Sequence, residues 1–194
     1  MSGTTVYLLR HGQTEWSESG QHTGRTDIPL TEAGEARARR AGAVLRGLIG
    51  DSPVRVVASP RQRAGRTAEL AGLTVDETTE DLGEWDYGDY EGLTTPEIRE
   101  TVPGWTVWTH PCPGGETADE VTERARRVLA AARQAGTDVV LVGHGHFSRV
   151  LTAVWLGQPA AHGVHFALDP GGIVVLGDER GEPQVKRLNV SVDQ

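Results

Sequence analysis

The sequence predicts an α/β fold built around a mostly parallel sheet. Four short runs of β-forming residues occur along the chain, TVYLL, VRVVAS, VVLVG and GGIVVL. Each of the first three is followed, directly or after a loop, by a helical pattern, and this alternation is typical of parallel strands joined by crossover helices. At 194 residues, of which 37% are hydrophobic, the chain suits one ordinary domain with a sizeable core. We expect a single domain over residues 1–194.

Three helices have clear start signals or stop signals. The helix predicted over Thr31–Leu48 begins at a threonine N-cap and carries glutamates in its first turn, where they favour the helix dipole. A second helix opens at the capping box TADE, Thr117–Glu120. In both helices apolar residues recur at helical spacing, which predicts one buried face. A third helix is predicted over Phe147–Leu156 and is ended by Gly157 and Pro159.

The segment from about residue 78 to residue 115 shows no regular pattern. It is rich in Gly, Pro, Trp and acidic residues. A stretch of this length without regular structure is more often functional than a simple connection. We expect it to form a rim or lid beside the functional site.

Composition and charge exclude several classes of protein. The net charge of -8 argues against nucleic-acid binding, which needs a basic surface. No apolar run approaches the roughly 18 residues of a membrane span, and the N-terminus lacks the regions of a signal peptide. The single cysteine, Cys112, excludes an internal disulfide and a four-cysteine zinc site. We expect a cytoplasmic protein without nucleic-acid or membrane partners.

Basic residues follow the ends of three predicted strands. The first run ends at RHG, residues 10–12, the second ends at Ser59 before a helix with Arg63 and Arg66, and the third ends at HGH, residues 144–146. The carboxyl ends of parallel strands line one crevice, which is where such sheets bind ligands. The sequence therefore predicts a local site of positive charge on an acidic protein.

The adjacent pair Arg10 and His11 indicates what this site binds. Two unit charges about 4 Å apart at an effective dielectric near 20 repel by roughly 4 kcal/mol. Because arginine keeps its proton, this repulsion lowers the pKa of His11 by about three and favours neutral imidazole. A divalent metal would meet more repulsion still, whereas a phosphate dianion would be attracted. The pair predicts a phosphate site without a metal, in which His11 is an unprotonated nucleophile.

Each of these motifs also has a plainer interpretation. A lone histidine at a strand end is usually structural, and HGH could be a weak metal pair. Arg61, Arg63 and Arg66 could form a solvated helix face. The tryptophans at positions 85, 105 and 108 are more often core residues than pocket walls. The remaining histidines, at positions 22, 110, 162 and 165, receive no role. The three strand ends together favour the functional interpretation.

Four motifs, taken in order, resemble those of the histidine phosphatase superfamily, the phosphoglycerate-mutase-like enzymes. They are LLRHGQTEW, SPRQRAGRTAEL, LGEWDYGDYEG and VGHGHFSR, and the resemblance runs from residue 5 to about residue 156. It implies a three-layer αβα domain with a mostly parallel central sheet, and a reaction that needs no cofactor. It also implies roles for particular residues: His11 as nucleophile, Glu84 as proton donor, and Arg10, Arg63 and His144 around the phosphate.

The same resemblance implies a second set of residues near the substrate: Ser17, Thr23, Gly24, Tyr87, Gly145 and His146. Ser17 stands where the family commonly has asparagine, and its hydroxyl can still donate one hydrogen bond to a phosphate oxygen. His146 stands where the mutases have asparagine.

Within the family, the chain resembles small bacterial acid phosphatases and the branch that contains sedoheptulose-1,7-bisphosphatase. The stretch GLTTPEIRETVPGWTVWTHPCPGGET contains only Arg99 where the mutases carry paired arginines. This favours a metal-independent phosphomonoesterase that acts on small phosphorylated metabolites. A mutase, a phosphoprotein phosphatase and an inactive phosphate-binding module remain alternatives, and a homodimer is an open option.

Overall fold

The computed structural model describes residues 3–192, which are organised around a six-stranded sheet. Its strands are β1 (Val6–Arg10), β2 (Val54–Ala58), β3 (Glu77–Thr78), β4 (Asp138–Gly143), β5 (Ile173–Glu179) and β6 (Glu182–Val190). They lie in the order β3-β2-β4-β1-β5-β6. The first four are parallel to one another, and β5 and β6 join as antiparallel neighbours on the β1 side. The predicted mostly parallel sheet is confirmed.

Six α-helices connect or flank these strands in the described residues. They are α1 (Glu15–Ser19), α2 (Glu32–Ile49), α3 (Gln62–Leu70), α4 (Thr95–Thr101), α5 (Ala118–Gln134) and α6 (Gly145–Trp155). Short 3-10 turns occupy Glu80–Leu82, Gly88–Tyr90 and Ala160–His165. The three predicted helices correspond to α2, α5 and α6, with bounds that differ by one or two residues at most ends.

The alternation of side chains along β1 divides the core into two layers. Val6 and Leu8 pack on the face that is covered by α5 and α6, whereas Tyr7 and Leu9 pack on the face that is covered by α2 and α3. All four are buried, and full burial of such a side chain contributes about 1.5–3 kcal/mol. The result is the three-layer αβα arrangement that the family resemblance implied.

Both predicted N-caps form. Thr31 Oγ1 accepts the N–H of Gly34 at 3.1 Å and starts α2. At α5 the capping box is complete, because Thr117 Oγ1 accepts the Glu120 N–H at 3.2 Å and Glu120 Oε2 accepts the Thr117 N–H at 2.9 Å. These local contacts explain why the helix starts could be predicted from residue types.

Four elements were not predicted: the short elements α1 and β3, helix α4 and strand β6. Helix α4 lies inside the segment expected to be irregular, and it starts with its own capping box between Thr94 and Glu97. With seven residues and one buried side chain, Ile98, it is too short for an apolar period to be visible. Strand β6 is a mostly polar edge strand, so the alternation that identifies a half-buried strand is weak there.

The sheet brings the three predicted strand ends together. The N–H of His11 donates to the carbonyl of Gly143 at 2.9 Å, and the N–H of Ser59 donates to the carbonyl of Val142 at 2.9 Å. The residues that follow β1, β2 and β4 therefore lie side by side at the carboxyl edge of the sheet. Across residues 3–192, no helix combines the length and apolar character that crossing a membrane requires.

We expect Gly34→Ala to lower the free energy of unfolding by about 1–3 kcal/mol or more. A Cβ on Gly34 would overlap the backbone of Gln13, next to the strand end that carries His11. Gly47→Ala, on the exposed side of the same helix, provides the matched control because its Cβ would meet no atom within 4 Å. The control should gain about 0.5–1 kcal/mol from the better helix propensity of alanine. Urea unfolding measures both, and equal effects in the two variants would contradict the close approach.

Candidate active site

A cavity of about 160 Å³ opens above the carboxyl ends of β1 and β4. Of the predicted site residues, eight line this cavity: Arg10, His11, Ser17, Thr23, Glu84, Tyr87, Gly145 and His146. Arg63 and His144 are completely buried and approach His11 from within the protein. Gly24 does not line this cavity. The structure therefore brings most of the predicted residues together at one place.

The imidazole of His11 is held in one tautomer. Its Nδ1 lies 2.6 Å from the carbonyl oxygen of Gly12. A carbonyl oxygen only accepts hydrogen bonds, so Nδ1 carries the proton and Nε2 keeps a free lone pair. Burial lowers the pKa of His11 well below its ordinary value, and Arg63 and then Arg10 act in the same direction. The sequence argument predicted this direction from Arg10 alone, whereas burial is the largest cause.

Buried nitrogen atoms without hydrogen-bond partners lie around this imidazole. Arg10 Nη1 donates to the carbonyl of Leu168 at 2.5 Å, but Arg10 Nε, Arg63 Nε and His144 Nδ1 have no hydrogen-bond partner within residues 3–192. A buried polar group without a partner costs about 1–3 kcal/mol, and more if it is charged. An anion with several oxygen atoms, such as a phosphate, can accept from the two arginine N–H groups among them.

Arg63 is fixed by backbone rather than by side chains. Its Nη1 donates to the carbonyl of Thr26 at 2.8 Å, and its Nη2 donates to the carbonyls of Thr23 and Gly24 at 3.1 Å each. Carbonyl oxygens orient the guanidinium but do not neutralise it. Thr23 and Gly24, which were predicted to contact substrate, therefore also hold this arginine.

A glycine at position 145 makes room for Arg10. A Cβ there would lie 3.0 Å from Arg10 Cζ and from Arg10 Nε, which is tighter than ordinary contact. Gly145 also begins α6, directly after His144. Its contribution in this structure is space for the guanidinium.

The carboxylate of Glu84 lies against the N-terminus of α6. It accepts the backbone N–H groups of Trp85 at 2.8 Å, His146 at 2.9 Å and Phe147 at 2.7 Å. These contacts fix the orientation of the carboxyl group at the wall of the cavity.

Tyr87 and His146 form a neutral hydrogen-bonded pair, with 2.6 Å between Tyr87 Oη and His146 Nδ1. Burial raises the pKa of Tyr87 well above its ordinary value and lowers the pKa of His146 well below 6.5. A neutral phenol both donates and accepts, so the direction of this bond follows the tautomer of His146. The bond fixes the two rings against each other at the cavity wall.

The hydroxyl of Ser17 is already occupied. It donates to the carbonyl of Thr14 at 2.9 Å and accepts the Thr14 N–H at 2.8 Å, within the cap of α1. Since a hydroxyl has one proton, donation to a phosphate oxygen requires that the bond to Thr14 be exchanged.

Several cavity residues were missed from the sequence, including Trp16, His22 and Arg149. Arg149 lies four residues after Gly145 on α6 and therefore on the same face, but the helix predicted from the sequence began only at Phe147. Its guanidinium stacks 4.6 Å from the ring of Trp108.

Arg66 does not join the site that its position after β2 suggested. It forms ion pairs with Glu35 and Glu69, each at 2.8 Å, on the outer face of α3. Trp85 and Trp105 are core residues, in agreement with the plainer interpretation. Within residues 3–192, no group of three or more His, Cys, Asp or Glu side chains could hold a metal ion.

Comparisons with known proteins agree with this geometry. The sequence profile of the histidine phosphatase superfamily, branch 1, matches residues 6–191. An acid phosphatase of Mycobacterium tuberculosis is 48% identical over 188 residues, which cover 96% of this chain and 92% of that protein. Sedoheptulose 1,7-bisphosphatase of Saccharomyces cerevisiae is 36% identical, with 77% of this chain and 66% of that protein covered. The solved structure of an open reading frame product of Mycobacterium tuberculosis superposes with a TM-score of 0.94 at 46% identity, covering 97% and 98% of the two chains.

We expect the protein to lose stability as the pH falls from 6.5 to 4, partly through His22. Burial lowers the pKa of His22 from 6.5 to about 4. The unfolded chain takes up a proton at His22 before the folded chain does. The contribution of His22 to the free energy of unfolding is therefore fully present above pH 6.5 and declines as the pH falls towards 4. For His22 this loss is about 3 kcal/mol at pH 4.

Urea unfolding of the wild type and of His22→Gln at pH 7 and pH 4 measures this contribution. The variant should lose about 3 kcal/mol less between the two pH values, since it has no imidazole to protonate at this position. The same loss in both proteins would mean that His22 is not held neutral by the fold.

Proposed function

Because this chain belongs to the histidine phosphatase superfamily and is a phosphatase, we propose that it hydrolyses phosphomonoesters of small metabolites without a metal. In this proposal His11 carries the phosphoryl group and Glu84 acts first as acid and then as base. Arg10, Arg63 and His144 bind the transferring group. The remaining predicted residues, Ser17, Thr23, Gly24, Tyr87, Gly145 and His146, shape the substrate side of the cavity.

One observation carries the proposal. His11 is neutral, its proton is on Nδ1, and its free Nε2 belongs to a ring that lies among buried arginines with unpaired N–H donors. A neutral imidazole is a nucleophile, and preorganised cations stabilise the charge that spreads over the oxygens of a transferring phosphoryl group. A purely structural histidine would need neither feature.

In the first step the Nε2 lone pair of His11 attacks phosphorus, and the bond from phosphorus to the ester oxygen breaks. The proton of the Glu84 carboxyl group passes to that oxygen, so an alcohol leaves rather than an alkoxide. The imidazole retains its Nδ1 proton and becomes a phosphohistidine. The carbonyl of Gly12 stabilises the positive charge that the ring acquires, because it accepts from Nδ1 at 2.6 Å.

In the second step a water molecule attacks the phosphohistidine. The Glu84 carboxylate takes a proton from this water. The oxygen of the water bonds to phosphorus, and the bond from phosphorus to Nε2 breaks. The electron pair returns to the imidazole, inorganic phosphate leaves, and Glu84 is protonated again. Both half-reactions balance without a metal or a redox partner.

The dimensions of the cavity support a small substrate. It measures about 160 Å³, and Trp16, His22 and Arg149 contribute to its walls. A small concave site suits a metabolite better than a folded phosphoprotein. One relative, sedoheptulose 1,7-bisphosphatase, is named for a phosphorylated sugar, which belongs to this class of substrate.

Hydrolysis is favoured over mutase activity by the segment of residues 92–117. Its one arginine, Arg99, donates from Nε to the carbonyl of Trp105 at 2.8 Å. This contact ties the side chain to the segment itself, so the segment offers no arginine pair for a second anionic group.

We expect His11→Ala to fold normally and to lose turnover by several orders of magnitude, since the covalent route disappears. The readouts are release of inorganic phosphate, formation of phosphate isomers, and trapping of an acid-labile phosphoenzyme from labelled substrate. His162→Gln, an exposed histidine outside the cavity, is the control and should retain wild-type turnover and labelling. Near-normal turnover or labelling in the His11 variant would overturn the assigned nucleophile. A product that is mainly the isomer would favour the mutase.

We expect Glu84→Gln to slow the reaction by roughly a hundredfold or more, the usual contribution of general acid catalysis. The loss in kcat/KM should be larger for an alkyl phosphate, whose alkoxide needs a proton to leave, than for 2,4-dinitrophenyl phosphate, whose phenolate leaves without one. Equal losses in kcat/KM for the two esters would show that Glu84 is not the general acid.

A further inference from the structure

A buried ion pair lies directly behind the loop that carries Glu84. Its members are Arg124 on α5 and Glu116, just before that helix, and only 9% and 21% of their side chains are exposed. We propose that this pair positions Glu84 for proton transfer, an inference that rests on the proposed function of Glu84 as acid. Neither residue lines the cavity above β1 and β4, so each would act through Glu84 rather than on the substrate.

Every N–H group of the Arg124 guanidinium has an acceptor. Three bonds go to backbone carbonyls that lead up to and include the acid: Asp81 at 3.0 Å, Gly83 at 2.8 Å and Glu84 at 3.2 Å. The other two go to the carboxylate of Glu116, from Nε at 2.8 Å and from Nη2 at 2.6 Å. One rigid, planar group thus fixes the chain on the N-terminal side of Glu84.

Glu116 fixes the chain on the C-terminal side of Glu84. Its Oε2 accepts the N–H of Asp86 at 3.0 Å, and its own N–H donates to the carbonyl of Asp86 at 3.0 Å. Its carbonyl accepts Nε1 of Trp85, also at 3.0 Å. The two residues that follow the acid are therefore held by the partner of Arg124.

Arg124 also contacts the group that orients the carboxylate. Its guanidinium lies 4.0 Å from the centre of the Phe147 ring. The N–H of Phe147 donates to Glu84 Oε1 at 2.7 Å. The same side chain therefore contacts both the loop that supplies the carboxyl group and the residue that holds it.

Stability alone is a weak reason for this arrangement. Desolvating two charges is costly, and well-packed apolar residues often replace a buried ion pair without loss of stability. What apolar residues cannot supply is the side-chain hydrogen bonds that hold the chain on both sides of Glu84, three from Arg124 and one from Glu116. A displacement of a reacting group by about 1 Å can reduce a rate by roughly a hundredfold.

The test compares two esters in the Arg124→Lys variant, which keeps the charge but cannot make five directed bonds. We expect kcat/KM for an alkyl phosphate to fall by roughly ten- to a hundredfold. The value for 2,4-dinitrophenyl phosphate should change by about threefold or less, because this leaving group does not need the acid. Glu116→Gln, which keeps an acceptor for the Asp86 N–H but loses the charge, should show the same ester dependence more weakly.

Arg127→Lys is the matched control. Arg127 lies on the same helix and pairs with the side chain of Asp81 at 2.9 Å, but it is well exposed and makes no bond to the carbonyls of the acid loop. Both esters should retain wild-type kcat/KM in this variant.

A double variant separates positioning from general damage. If Arg124 acts through Glu84, adding Arg124→Lys to Glu84→Gln should reduce kcat/KM for the alkyl phosphate little further. Equal loss on both esters, or full additivity in the double variant, would overturn the inference and leave the proposed function intact. If Glu84→Gln itself showed no ester dependence, the proposed function would fail, and the inference with it. If Arg124→Lys does not fold, Glu116→Gln takes its place. The ratio of the two esters in Glu116→Gln, and the double variant of Glu116→Gln with Glu84→Gln, then decide in the same way.

Discussion

Burial and two nearby guanidinium groups all act on the imidazole of His11 in the same direction. Together they keep it uncharged, and the carbonyl of Gly12 holds its proton on Nδ1. Burial is the largest of these causes, and the two arginines add to it only while they stay beside the ring. The surrounding structure can be understood as the support for that arrangement: Gly145 leaves space for Arg10, and the loop after α1 holds Arg63.

The arginines of the site and those of the surface differ in their hydrogen-bond partners. Arg10 and Arg63 bind backbone carbonyls, and within residues 3–192 neither forms an ion pair with a carboxylate. Arg66 and Arg127, by contrast, pair with acidic side chains in solvent. Carbonyl oxygens orient a guanidinium while leaving its charge for a ligand. A chain with a net charge of -8 can thus keep a strongly positive pocket.

The sequence predicted those features that depend on residue type and short spacing. The caps at Thr31 and Thr117 are local, and the parallel sheet then placed His11 and His144 at one edge. Helix α4 was missed because seven residues show too little periodicity, and the engaged hydroxyl of Ser17 depends on the geometry of one turn. The role of Arg124 had no signal, since its acceptors are backbone carbonyls about forty residues away, and every residue type supplies a carbonyl.

Because every residue type supplies a backbone carbonyl, the loop that holds Arg63 can change in sequence and still hold it. Thr23 and Thr26 grip this arginine through carbonyl oxygens, which persist whatever side chain is attached. Mutation at Thr23, which lines the cavity, can therefore reshape the cavity wall while Arg63 keeps its anchor. Descendants of one ancestral hydrolase can diverge in what they admit without first relinquishing the chemistry that they share.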